Sequence, residues 1–178
     1  EVNLLIPATA LQDVLRLLGE GEEVVEITYD DQQVLFKVGE VELVTRLIEG
    51  SYPDYRKLLP NKFSTEASIK RADFVNITKV SSLFARESAG SVTINASPEQ
   101  SQVSIQSIAS QLGENTANAA ATVSGEGAIT LNSRYLLDAL GTLSADEVKL
   151  CFNGKLEPCV LQEIGANDYI HVIMPLKS

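Results

Sequence analysis

The stretch that decides the fold runs from Leu47 to Pro60 and reads LIEGSYPDYRKLLP. It fits neither helical nor strand periodicity. Gly50 supplies a turn residue, and Pro53 stands between Tyr52 and Tyr55, where its ring fixes φ and disfavours helix in the residue before it. The order predicts one defined corner that joins two structured segments.

A repeat extends outward from this corner on both sides. Four apolar residues with the i, i+3, i+4, i+7 spacing of a helix face recur at a constant offset of 125: Leu11, Val14, Leu15 and Leu18 in the first copy, and Leu136, Ala139, Leu140 and Leu143 in the second. After a loop that is two residues shorter in the second copy, Val25-Glu26-Ile27 matches Val148-Lys149-Leu150. The two segments therefore have the same β-α-β-β-β pattern.

The residues between these copies hold a third, more diverged module. The sequence thus predicts an α+β protein of three modules, 1–60, 61–127 and 128–178. The expected helices span 8–18, 67–86 and 133–143, a strand is expected at 2–6, and turns at Asp30-Asp31, Gly39-Glu40 and Gly113-Glu114-Asn115. Antiparallel strands should follow each helix.

Composition describes an ordinary globular protein. The 178 residues include 44% hydrophobic and 21% charged residues, and no apolar run approaches the roughly 20 residues of a membrane span. We therefore expect a cytoplasmic protein. Cys151 and Cys159 are expected to be reduced and packed as small apolar groups, because the chain shows no secretion signal.

Charge is distributed unevenly along the chain, whose net charge is −10. The three predicted helices carry six of the 14 basic residues but only three of the 24 acidic ones. A mildly basic helical face on an acidic protein suits loose contact with DNA, since tight pairing with phosphates would prevent sliding. Ordinary solvated helix surfaces would give the same pattern.

Patterns typical of catalysis are absent. His171, the single histidine, lies in a predicted strand and is interpreted as a satisfied strand residue. Two cysteines and one histidine do not form a four-ligand metal set, and no phosphate-binding glycine loop occurs. We therefore expect a protein without enzymatic activity, cofactor or metal. A hydrolase with dispersed carboxylates has no motif to support it.

Four ordered motifs resemble bacterial DNA polymerase III beta subunits, the sliding clamps. The corner is similar to their "PDYR-x-(V/L)-LP" segment. The other three are "IPA-x-x-L-x-x-x-x-R-L-L" at Ile6 to Leu18, "N-x-R-Y-L-L-D-A-L" at Asn132 to Leu140, and "Y-x-x-x-I-M-P-(V/L)-(R/K)" at Tyr169 to Lys177. Together they cover essentially the whole chain.

This resemblance implies a DNA-clamp fold with antiparallel sheets outside and helices on the inner face. Residues 1–60 would be the second half of the clamp's middle domain, and 61–178 its third domain. The implied function is that of a processivity factor in DNA replication, which encircles double-stranded DNA and tethers DNA polymerase. Family members close as head-to-tail homodimers of three-domain chains, so we expect a longer parent protein or a second copy to supply what these residues lack.

The resemblance also implies a hydrophobic pocket for short linear motifs of polymerases, the clamp loader and repair proteins. Its matching residues are Pro53, Lys57, Leu58, Asn132, Tyr135, Cys159, Val172, Met174, Leu176 and Lys177. Lys57 and Lys177 stand where the family often has Arg, which loses bidentate hydrogen bonding. The candidate DNA-facing residues are Arg16, Lys70, Arg71, Lys79, Arg86 and Arg134. An adaptor that uses this pocket without encircling DNA remains an alternative.

Overall fold

The computed structural model describes residues 2–18, 24–52, 54–109, 113–165 and 169–177. They form two compact units, Glu1–Asp54 and Tyr55–Ser178. The division falls inside the Leu47 to Pro60 corner, earlier than the boundary at residue 60 that the sequence predicts. Pro53 lies outside the described residues. No helix in the described ranges is long and apolar enough to cross a membrane.

The first unit is a helix packed on a three-stranded antiparallel sheet. Helix α1 spans Ala8–Leu17, and the strands are β1 (Val25–Tyr29), β2 (Gln33–Val38) and β3 (Val41–Arg46), in that order. Val14 of α1 packs against Val34 and Phe36 of β2. The carboxylate of Asp30 closes the first hairpin by accepting the N–H groups of Gln32 and Gln33, both at 2.8 Å.

The strand predicted at 2–6 is wrong for this structure, because these residues have no regular secondary structure. The Leu5 carbonyl accepts a hydrogen bond from the Ile48 N–H at 2.8 Å. A strand needs a ladder of such bonds along a neighbour.

The second unit is an eight-stranded antiparallel sheet with two helices packed against it and against each other. Its strands run in the order β11-β10-β9-β4-β7-β6-β5-β8. The elements are β4 (Thr65–Lys70), α2 (Arg71–Phe84), β5 (Ser91–Ser97), β6 (Gln102–Ala109), β7 (Gly113–Ser124), β8 (Gly127–Asn132), α3 (Ser133–Thr142), β9 (Glu147–Phe152), β10 (Cys159–Glu163) and β11 (Ile170–Ile173). Short 3-10 helices occur at Tyr55–Leu58 and Ala85–Ser88.

The two modules of this unit exchange their first strands. Strand β4 precedes α2 but pairs with β9, which follows α3, while β8 precedes α3 but pairs with β5, which follows α2. Each module thus completes the sheet of the other. By the same pattern, residues 2–6 would pair with a strand of another module rather than with β1, β2 or β3, which explains why they form no ladder here.

The helix predicted at 67–86 is wrong at its start. Residues 67–70 belong to β4, where Thr65, Ala67 and Ile69 are buried with the alternation of a strand. The helix begins at Arg71, whose N–H donates to the Asp146 carbonyl at 2.8 Å. The turn predicted at 113–115 is also wrong, because Gly113 to Asn115 continue β7 and pair with β6.

The core lies between the helices and the sheet. Phe74 of α2, Leu136 and Leu140 of α3 and Leu150 of β9 have no exposed surface. Both cysteines are free and buried, in agreement with the sequence-based prediction. Burial raises the pKa of Cys151 to about 11 and raises the pKa of Cys159 still more strongly, so both thiols stay protonated and inert at neutral pH.

One carboxylate holds the loop between α3 and β9. Glu163 of β10 accepts hydrogen bonds from the N–H groups of Ser144 and Ala145, the latter at 3.0 Å. These bonds hold the pKa of Glu163 below its usual range. The Nε of Arg71 fixes the same loop by donating to the Ala145 carbonyl at 3.1 Å.

Glu163→Gln is therefore expected to lower the stability of the protein at neutral pH. A carboxyl whose pKa is depressed by folding adds stability above its ordinary value of 4.5, and this stability is lost as the pH falls through the lower value in the folded protein. Urea unfolding at a series of pH values should show the two proteins differing at pH 7 and converging in acid. A difference that did not change with pH would contradict this role.

Candidate partner-binding groove

A surface groove of about 390 Å³ lies between α3 and β11. Tyr135 and Met174 are its exposed large apolar residues, each 57% exposed. The groove is lined by Tyr135, Asp138, His171, Val172, Ile173 and Met174. A thioether and an aromatic ring on an exposed surface suit binding of apolar side chains.

Asn132 fixes the helical wall of the groove. Its side-chain oxygen caps α3 by accepting the N–H groups of Arg134 at 2.9 Å and Tyr135 at 3.4 Å. Its side-chain amide donates to the Ala89 carbonyl at 3.1 Å. The first turn of α3, and with it the ring of Tyr135, is thereby anchored to the preceding module.

The other wall is held on both sides of Met174. Before it, Val172 and Ile173 pair with Val160 and Cys159 of β10. After it, the N–H of Leu176 donates to the carbonyl of Thr130 in β8 at 2.9 Å. The backbone of the intervening residues therefore has little freedom, and this lowers the entropy cost of binding a partner.

The structure brings together three of the pocket residues that the sequence predicts: Tyr135, Val172 and Met174. Cys159 does not belong to this surface, because it is completely buried opposite Ile173 and supports the groove from beneath. Asn132 acts as the helix cap. The described residues that line the groove do not include four others that the sequence predicts for the pocket: Lys57, Leu58, Leu176 and Lys177.

Sequence reasoning missed three lining residues, Asp138, His171 and Ile173. The Nδ1 atom of His171 lies 2.8 Å from the hydroxyl of Tyr169, which lies 3.0 Å from the hydroxyl of Thr142. His171 is therefore a hydrogen-bonded strand residue, as the sequence suggests, and it also faces the groove. The i, i+3 spacing of Tyr135 and Asp138 on an exposed helix face was the available signal for Asp138.

The six candidate DNA-facing residues have different surroundings in the structure. Arg16 forms an exposed ion pair with Asp13 at 2.8 Å. Arg71 is half-buried and holds the loop at Ala145, whereas Lys70 ends β4 opposite Glu147 instead of lying on a helix. Lys79, Arg86 and Arg134 have exposed positions.

Comparisons with known proteins give the same family along the whole chain. The family model of the DNA polymerase III beta subunit, central domain, matches residues 1–54, and the model of its C-terminal domain matches residues 56–177. A beta sliding clamp of Staphylococcus aureus is 33% identical over 178 residues, which are 99% of this chain and 47% of that protein.

Solved structures of known proteins have the same fold as this chain. A DNA polymerase sliding clamp from Bacillus subtilis matches with a TM-score of 0.84 and 29% identity, over 99% of this chain and 47% of that one. A DNA polymerase III beta subunit from Pseudomonas aeruginosa gives the same TM-score at 21% identity, over 98% of this chain and 48% of that one. The predicted α+β clamp fold is confirmed. The chain spans about half the length of the relatives it matches, and it belongs to the DNA polymerase III beta subunit family.

Proposed function

We propose that this chain is part of a sliding clamp, a processivity factor without enzymatic activity that works in DNA replication in the cytoplasm. In this role it contributes to a ring around duplex DNA and tethers DNA polymerase, the clamp loader and repair proteins. The groove formed by Tyr135, Val172 and Met174 is the observation that carries the proposal. Residues 1–60 act as half of the middle domain, and 61–178 as the third domain.

The groove suits a short linear peptide better than a folded partner. Its volume of about 390 Å³ accommodates a few side chains, whereas a stable interface between folded proteins usually buries more than 1,000 Å². The apolar floor favours Leu or Phe in the peptide. Asp138 and His171 add polar groups that can orient it through hydrogen bonds.

A titration with a fluorescent peptide rich in Gln, Leu and Phe tests this function. We expect saturable binding by the 178-residue chain, and no change when Ile108 is replaced with Ala. Ile108 lies on β6, away from the groove residues in the sheet order, and is 63% exposed. Binding that is absent, or that falls equally in Ile108→Ala, would contradict the proposed function.

The DNA-facing role is proposed for exposed residues of the two helices in the second unit. Replacing Lys79 and Arg134 with Gln is expected to weaken association with duplex DNA. If each residue neutralises one phosphate, the slope of log K against log salt should fall by about 0.9 per residue. Fluorescence anisotropy from low to physiological salt measures this slope.

Lys155→Gln is the matched control for this test, because Lys155 is exposed on the turn between β9 and β10. An unchanged slope in the double variant would remove these two residues from the DNA interface. The same measurement separates a clamp from the adaptor that uses the groove alone. DNA association of an adaptor should not depend on Lys79 or Arg134.

A further inference from the structure

A chain of hydrogen bonds connects the last turn of α3 to the groove. The Nδ1 atom of His171, which lines the groove, lies 2.8 Å from the hydroxyl oxygen of Tyr169. That oxygen lies 3.0 Å from the hydroxyl oxygen of Thr142. The Thr142 hydroxyl in turn donates to the carbonyl of Ala139 at 2.8 Å. The polar state of the groove wall is therefore coupled to the end of the helix.

The direction of these hydrogen bonds follows from the last acceptor. A carbonyl oxygen has no proton, so the single hydroxyl proton of Thr142 points to Ala139. The Tyr169 hydroxyl then donates to the Thr142 oxygen, and the Nδ1–H of His171 donates to the Tyr169 oxygen. Each hydroxyl in the chain gives one proton and accepts one, so this order satisfies all three contacts and the reverse order does not.

The chain of bonds assigns one tautomer to the neutral ring of His171. Because Nδ1 carries the proton, Nε2 carries a lone pair and acts as a hydrogen-bond acceptor. Within the ranges that the structure describes, no residue donates to Nε2. Nε2 is therefore the polar atom of this ring that remains for a bound partner.

A second acceptor lies on the helical wall of the groove. Asp138 of α3 is the only charged side chain among the described lining residues. In the described part of the chain its carboxylate has no hydrogen bond and no ion pair. The groove thus offers a partner one negative charge and one neutral acceptor, with the Tyr135 hydroxyl as the side-chain donor.

We propose that His171 and Asp138 make the groove selective for partner peptides that carry Lys or Arg beside the apolar anchor residue. An ammonium or guanidinium group has donors only, so it satisfies both the carboxylate and the Nε2 lone pair. Glu or Asp at the same place meets two acceptors and is repelled by the carboxylate. The net charge of −10 also favours the approach of such a peptide. This preference rests on the proposed function, because it concerns the same groove.

Tyr169 acts as a positioning residue, since it holds the tautomer of His171 and is not among the described lining residues. His171 is the single histidine of the chain, so nitrogen-15 histidine labelling gives one pair of ring-nitrogen resonances. We expect the Nδ1–H pattern in the wild type at mildly alkaline pH, and loss of this pattern in Tyr169→Phe. An Nε2–H pattern in the wild type, or an unchanged pattern in Tyr169→Phe, would overturn the assignment.

Anisotropy titrations with three peptides test the preference. They are the Gln-, Leu- and Phe-containing peptide itself, a version with Lys beside the apolar residue, and a version with Glu at that position. The wild type should bind the Lys peptide about ten-fold more tightly than the Glu peptide. Asp138→Asn should remove most of this difference, whereas Glu114→Gln, exposed on β7, should keep it.

These titrations distinguish failure of the preference from failure of the proposed function. If the unmodified peptide binds and the Lys and Glu peptides bind equally well, the preference is overturned and the function stands. If none of the three peptides binds, both are overturned. An Asp138→Asn protein that keeps the full ten-fold difference would remove Asp138 from the account.

The pH dependence of binding isolates the contribution of His171. Protonation places a proton on Nε2, which ends its role as an acceptor and adds a positive charge. The titratable groups that face the ring are Tyr169, Tyr135 and Asp138, and β10 places the uncharged Leu161 opposite it. Between about pH 8 and about pH 5.5 the preference of the wild type for the Lys peptide should fall several-fold. In His171→Gln it should stay constant, and an equal fall in both proteins would overturn the role of His171.

Discussion

Replacing either Tyr135 or Met174 with Ala is expected to weaken binding of the Gln-, Leu- and Phe-containing peptide at least ten-fold. Each residue is 57% exposed and lines the groove, so we expect its side chain to be covered when an apolar peptide side chain enters. Truncating such an anchor typically costs more than 1 kcal/mol, and a ten-fold loss corresponds to about 1.4 kcal/mol. Fluorescence anisotropy gives the dissociation constants.

The fold should survive these two changes because neither side chain belongs to the core. Thermal unfolding should therefore be almost unchanged, and Ile108→Ala should bind like the wild type. If Tyr135→Ala and Met174→Ala bound the peptide with wild-type affinity, the groove would not be the binding site. A loss of affinity accompanied by unfolding would be assigned to stability instead.

Gly125→Ala is expected to cause the largest loss of stability among single substitutions of glycine. Gly125 has a φ of +79°, and a Cβ atom placed there would lie 1.9 Å from the carbonyl oxygen of Ser64. The left-handed conformation alone costs about 1 kcal/mol for a residue with a Cβ. Because the obstructing atom belongs to the backbone, relief requires the start of β4 to move, and we expect a total of roughly 3 kcal/mol.

Substitutions at two other glycines distinguish the cost of the left-handed conformation from the cost of the steric clash. Gly165 has a φ of +90° with open space around the Cβ position, so Gly165→Ala should show the conformational cost alone. Gly154 has open space and no left-handed φ, so Gly154→Ala should be nearly neutral. Urea unfolding should rank the losses as Gly125, then Gly165, then Gly154. A Gly125→Ala protein as stable as Gly154→Ala would contradict the close approach of the two chain segments.

Local sequence signals predicted most of the secondary structure. The apolar face of α1 and its repeat in α3 follow from helical spacing, and the hairpins follow from Asp30-Asp31 and Gly39-Glu40. The errors at 2–6 and 67–70 have one cause. Residues 67–70 belong to β4, which pairs with a strand of the other module, and residues 2–6 precede α1 as β4 precedes α2. The state of such segments depends on long-range contacts that local periodicity does not contain.

The sequence predicted only part of the candidate site, and the reason is similar. Tyr135, Val172 and Met174 come from two motifs that lie far apart in sequence, and the structure brings them to one groove, where the Leu176 N–H also donates to the Thr130 carbonyl. Cys159 belongs to the same region but is buried by β11, a fact that the motif does not reveal. His171 was interpreted from its strand alone, which left its position in the groove unrecognised.

The most direct test of the central claim uses the single methionine of the chain, Met174. With the methionine methyl group labelled with carbon-13, the protein gives one methyl resonance in an NMR spectrum, and this resonance reports on the groove without any mutation. The account predicts that the Gln-, Leu- and Phe-containing peptide shifts it in a saturable manner, with the dissociation constant measured by anisotropy. A peptide that binds while the Met174 resonance stays unchanged would contradict the account.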